Sequence, residues 1–102
     1  PNAKDRHGGT ALMTAAWKGN KEIVLSLLGR RVDLNAKADN GMTALMFAAW
    51  ENHSEISRLL LEKGADPESR DTNGWTALMR AEFKGNMDVV NILTESQRQN
   101  EH

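Results

Sequence analysis

The sequence has no cysteine, only two prolines and no long apolar run. Without cysteine there is neither a disulfide framework nor a thiolate metal site, which fits a reducing, intracellular setting, cytoplasmic or nuclear. A membrane span needs ~20 consecutive apolar residues, so no membrane partner is expected, and no signal-peptide pattern opens the sequence. Charge of one sign is also scarce: 13 basic residues against 14 acidic ones give a formal net charge of -1. Proteins that bind nucleic acid or anionic membranes carry a visible basic excess, so nucleic acid is not an expected partner. The motifs of chemistry are missing too. The three histidines have no ligand partner at metal spacing. The glycines act as punctuation rather than as a phosphate-binding loop. No Ser or Lys carries a nucleophile elbow or a base partner. Neither a cofactor nor a catalytic residue is expected.

What the sequence does contain is one stretch, three times over. Gly41-Met42-Thr43-Ala44-Leu45-Met46-Phe47-Ala48-Ala49-Trp50 is matched upstream by Gly8-Gly9-Thr10-Ala11-Leu12-Met13-Thr14-Ala15-Ala16-Trp17. Downstream it is matched by Gly74-Trp75-Thr76-Ala77-Leu78-Met79-Arg80-Ala81-Glu82-Phe83. Thr10, Thr43 and Thr76 stand 33 residues apart. A fixed period of this size marks a stacked array in which about three units share one core. The units run over about 5–37, 38–70 and 71–102. The opening Pro1-Asn2-Ala3-Lys4-Asp5 sits in the phase of Leu34-Asn35-Ala36-Lys37, as the tail of an earlier unit would, so a fragment of a longer protein is expected.

Each unit begins at a turn. Asn40-Gly41 and Asn73-Gly74 are strong tight-turn pairs because both residues tolerate positive φ; His7-Gly8 is a weaker version. Thr10, Thr43 and Thr76 are suited to cap a short helix. That helix has an apolar face at Leu12, Ala15 and Ala16, and again at Leu45, Ala48 and Ala49. Gly19, Asn52 and Gly85 suit a left-handed helix end. A second helix follows, with Asn20 or Asn86 as cap. Its apolar stripe is Ile23, Val24, Leu27 and Leu28, then Ile56, Leu59, Leu60 and Leu61, then Val89, Val90, Ile92 and Leu93. The predicted fold is all-α: three helix-turn-helix units with short β-turn or hairpin connections.

The pattern resembles the ankyrin repeat, over roughly Asp5 to Gln97. The resemblance rests on the Gly-x-Thr-Ala-Leu start, the Ala-Ala pair, the Gly-Asn link, Glu22-Ile23-Val24 and Gly64-Ala65-Asp66. It departs from the family at Ala11, Ala44 and Ala77, where Pro is usual, and at Met13, Met46 and Met79, where His is usual. The methionines are expected to pack in the core. Arg31 stands where Gly64 matches the family glycine. In the third unit Glu82 replaces an alanine and Thr94 a leucine, as suits a terminal repeat with a wettable outer face.

The resemblance implies a solenoid whose first helices line a concave groove, and a non-catalytic module that binds a protein or peptide there. Trp17, Trp50 and Phe83 follow the alanine pair in identical phase and are expected in a row along the groove. Lys18, Glu51 and Lys84 flank them, with Arg6, His7, Met42 and Trp75 on the turn tips. The alternative is that the aromatics only pad repeat against repeat. Two other functions are weighed: a structural spacer within a larger protein, and a small-ligand or enzyme site near Glu82. The isolated domain is expected to be a monomer. Asn35 resembles the target of asparaginyl hydroxylases in many ankyrin repeats, with Leu27 and Asp33 placed as in those targets; the plain alternative is an ordinary turn asparagine.

Overall fold

A computed structural model of the chain describes residues 9–30 and 32–99. These residues form six helices and no strand. The helices are α1 (Gly9–Lys18), α2 (Lys21–Leu28), α3 (Ala44–Trp50), α4 (Ser54–Glu62), α5 (Ala77–Lys84) and α6 (Met87–Gln99). Helices of this length are marginal on their own and persist because tertiary packing supports them. Here α1, α3 and α5 pack side by side in one layer, and α2, α4 and α6 form the second.

The caps follow the sequence. Thr43 and Thr76 adopt extended backbone, and their hydroxyls accept from the amides of Met46 (3.3 Å) and Met79 (3.2 Å). Thr10 differs from expectation: α1 starts at Gly9, so Thr10 lies within the helix. Gly19, Asn52 and Gly85 all take positive φ at one register position, +77°, +60° and +73°. The turns at Asn40-Gly41 and Asn73-Gly74 close through Ala38 N–H to Met42 O and Asp71 N–H to Trp75 O, each 2.9 Å. Gly41 is required there. A Cβ on it would stand 2.7 Å from Thr72 N and 2.9 Å from Asp71 Cα, because the third repeat's turn lies directly against it.

Alanine sets the spacing of the inner layer. Ala15, Ala16, Ala48, Ala49 and Ala81 are buried, and so are Leu12, Leu45, Val24, Leu60, Val89 and Leu93. Small side chains let neighbouring helices approach closely, and the layer packs as one continuous core. Two expectations fail. Ile23, assigned to the buried stripe, is exposed. Met79 is exposed while Met13 and Met46 are buried, because no described helix packs on that side of α5. Arg31 lies outside the described residues.

Polar bonds tie the repeats together. His53 Nε2 bonds to Trp17 O at 3.0 Å, at the same register where Asn86 Nδ2 donates to Ala49 O (2.8 Å) and Trp50 O (2.9 Å). Asn20 caps α2 by accepting from Ile23 N–H, as expected. Asn86, directly ahead of α6, also donates its side-chain amide to carbonyls at the end of α3. Asn35 Oδ1 accepts from Asp66 N–H at 2.8 Å, and Lys37 Nζ donates to Arg70 O at 3.0 Å.

Candidate functional site

Helices α3 and α5 and the turn ahead of α5 bring five aromatic or cationic groups together. Phe83 stacks on Trp50, with ring centroids 6.1 Å apart and planes 9° from parallel. Trp75 meets Phe83 edge-on at 5.5 Å. Such offset and edge contacts suit the ring quadrupoles. The Arg80 guanidinium lies 5.4 Å from the Trp50 ring centre and 5.0 Å from that of Trp75. Lys84 Nζ sits 4.5 Å from the Trp50 centre. All three distances are within cation–π range.

Asp71 anchors this cluster from below. Its side chain is fully buried and pairs with Arg80, Nε donating to Oδ2 at 2.9 Å and the second guanidinium nitrogen donating to the same oxygen. Oδ1 accepts from the amides of Asn73 (2.9 Å) and Trp75 (3.0 Å). Burial pushes the Asp71 carboxyl pKa up, but the Trp75 amide, the Arg80 guanidinium and the Asn73 amide together outweigh it and hold the carboxyl below its ordinary value. The ionised Asp71 thereby fixes Arg80, and Arg80 fixes the faces of two tryptophans.

Exposure differs sharply within the cluster. Phe83 is 69% exposed, whereas Trp50 and Trp75 are half-buried. Trp17 is 49% exposed and stands one repeat away, its Nε1–H donating to Glu51 Oε2 at 3.1 Å. Padding and display therefore coexist: Trp50 fills the junction between repeats while Phe83 faces outward. Lys18 and Lys84 are exposed at the ends of α1 and α5.

Met42 is a correction. Expected on a turn tip, it is buried in the core. Its amide donates to Asn40 Oδ1, and its carbonyl accepts from Ala38, while Thr72 N–H and Oγ1–H both reach Asn40 O from the next repeat. That next turn covers the second one. Trp75, at the same register in the third repeat, stays half-exposed. Arg6 and His7 lie outside the described residues. Asn35 is exposed in a turn with its carboxamide oxygen already engaged.

Arg80 and Asp71 were missed by sequence reasoning as site-builders. The signal was available: they replace Phe47 and Ala38 at matching register, so an acid and a base enter the third repeat together. Glu82 is exposed on the outer face of α5. Among the described residues no cluster of three potential metal ligands occurs. Shallow clefts of about 240 Å³ open elsewhere, one at Lys21, His53 and Glu55 and another at Arg58, Leu61 and Ile92.

The family model described as ankyrin repeats (3 copies) matches residues 12–101. The chain belongs to the ankyrin-repeat family. Ankyrin repeats generally serve as protein–protein interaction modules and are generally non-catalytic. No curated protein matches the sequence in a search. Among the described residues no helix is long and apolar enough to cross a membrane. In this ankyrin domain the aromatic cluster is built on the first helices of the second and third repeats and on the turn ahead of α5, with Trp17 on the first helix of the first repeat.

Proposed function

We propose that this ankyrin domain is a non-catalytic module that binds a protein or peptide across the ends of α1, α3 and α5. Trp17, Trp50, Trp75 and Phe83 supply the apolar contacts, and Lys18, Glu51 and Lys84 orient the partner. The observation that carries the reading is Phe83, a large aromatic 69% exposed yet held in place by two other rings. A pre-positioned aromatic buries wide area on docking at low rotamer cost, which is why such residues dominate binding energy. The charges beside it select orientation more than affinity. A spacer would have no use for such a side chain.

The test is affinity capture with three chains: wild type, a Trp50→Ala/Phe83→Ala double variant, and Leu25→Ala, altered at an exposed residue of α2. A protein held by the first and third and lost by the second supports the reading; equal capture by all three rejects it. Asn35 is proposed as a modification site on the same domain, since it sits exposed in the turn that joins two repeats.

A further inference from the structure

Two Asn-Gly pairs stand at the same phase, Asn40-Gly41 and Asn73-Gly74, each in the turn ahead of a first helix. Both glycines take positive φ, +80° and +82°. Each donates its amide to the carbonyl three residues back, Ala38 O or Asp71 O, at 2.9 Å. The two asparagine side chains nevertheless have different surroundings.

The difference starts at the amide two residues on. Met42 N–H donates to Asn40 Oδ1 at 3.1 Å, so the Asn40 carboxamide is tied into its own turn. Trp75 N–H, at the same position, donates to Asp71 Oδ1 at 3.0 Å instead. Ala38 stands where Asp71 does and has no acceptor side chain. Asp71 therefore takes the bond that an asparagine takes in the second repeat, and the Asn73 carboxamide has no hydrogen bond among the described residues.

The stack adds a second difference. Asn40 O accepts from Thr72 N–H and Thr72 Oγ1–H, each at 3.0 Å. Gly41 is buried beneath that turn, with Thr72 N 2.7 Å from where a Cβ would stand. Asn73 and Gly74 are both exposed, and nothing lies within 4 Å of a Cβ placed on Gly74.

We propose that Asn73 is a site of spontaneous deamidation and isomerisation in the folded domain, and that Asn40 is spared. The Gly74 amide nitrogen gives its proton to solvent base and bonds to Asn73 Cγ. The Cγ–Nδ2 bond breaks, and Nδ2 leaves as ammonia. Water then opens the five-membered imide. Opening at Cγ gives aspartate; opening at the main-chain carbonyl gives isoaspartate, whose backbone runs through Cβ and Cγ. Glycine favours closure because it has no side chain to hinder the attack and its backbone turns freely. At Asn40 the Met42 bond must break before the carboxamide can swing, and the two Thr72 bonds before the carbonyl can turn. At about fivefold for each bond opened, Asn40 lags Asn73 by about tenfold or more. The isoaspartyl form inserts one backbone atom between the Asn73 and Trp75 amides, which Asp71 Oδ1 holds together at 2.9 Å and 3.0 Å. The modified turn loses one of those bonds, and Trp75 is unfastened from Asp71.

The test ages the full chain at mildly alkaline pH, once folded and once in guanidinium chloride, and then cleaves it after lysine and arginine. Asn40 falls in peptide 38–58 and Asn73 in peptide 71–80, so chromatography and mass spectrometry score asparagine, aspartate and isoaspartate at each separately. In the denatured chain the two sites convert at similar rates, since each is an asparagine before glycine. In the folded chain Asn73 still converts while Asn40 lags by about tenfold or more. Asn73→Gln, whose longer side chain closes poorly, stops conversion in peptide 71–80. Asn73 does not take positive φ, so glutamine fits there. The aged wild type unfolds at a lower denaturant concentration than before ageing; aged Asn73→Gln keeps its midpoint. Three results overturn the proposal: a folded Asn73 that stays intact while the denatured one converts, an Asn40 that keeps pace with it in the folded chain, or a midpoint that isoaspartate at Asn73 leaves unmoved.

Discussion

The third repeat holds a buried charge pair where the second repeat has Ala38 and Phe47, and removing half of that pair is the sharpest perturbation the structure offers. Asp71→Ala deletes the acceptor for Asn73 N–H, Trp75 N–H and two guanidinium donors. It leaves Arg80, whose side chain is only 17% exposed, without a counter-ion. Breaking a fully buried pair from one side costs about 3–5 kcal/mol. Arg80 keeps the faces of Trp50 and Trp75 and some water, so about 2–4 kcal/mol is expected here. Installing the second repeat's own solution, Asp71→Ala with Arg80→Phe, removes the stranded charge and should recover about 1–2 kcal/mol of the loss. Urea unfolding followed by circular dichroism gives each value from the midpoint at constant slope. If the double variant is as unstable as the sum of the two single ones, Asp71 and Arg80 are not coupled and the account of how the aromatic cluster is held is wrong.

Ala49 is fully buried between repeats, so Ala49→Leu should overpack the junction and cost about 1–3 kcal/mol in the same assay. Asp71 is held below its ordinary pKa, so its contribution is complete above about pH 4 and is lost as the pH falls through the folded value. Acidification from about pH 5 to about pH 3 should therefore lower the urea midpoint more in wild type than in Asp71→Ala/Arg80→Phe. Incubation with an asparaginyl hydroxylase should add one oxygen to the peptide that holds Asn35; peptide mass spectrometry without that gain ends the proposal for this residue.

The fold was legible because repetition supplied each signal three times. A threonine cap, an alanine pair and a left-handed helix end at one phase cannot be chance, and even Asn52 took the positive φ that its two glycine counterparts have. What periodicity could not see was position within the stack. Ile23, Ile56 and Val89 are alike in sequence, yet only a neighbouring repeat buries them. Met42 and Trp75 share a phase, but the next turn covers one and leaves the other half-exposed. The aromatic row was partly visible from its spacing. The link between its members was not, because Arg80, with Phe47 and Thr14 at its position in the other repeats, occurs in the third repeat alone and breaks the periodic pattern.

The claim that the aromatic cluster is the docking surface rests most directly on Phe83. It is the most exposed ring of the cluster, so Phe83→Ala should alter stability by about 1 kcal/mol or less. A binding isotherm for a protein captured by the wild-type domain, repeated with Phe83→Ala, measures its part in recognition. The account predicts a loss of about 1–3 kcal/mol, a factor of about 5–150 in Kd, with helicity unchanged. Full affinity in the folded Phe83→Ala domain would contradict it.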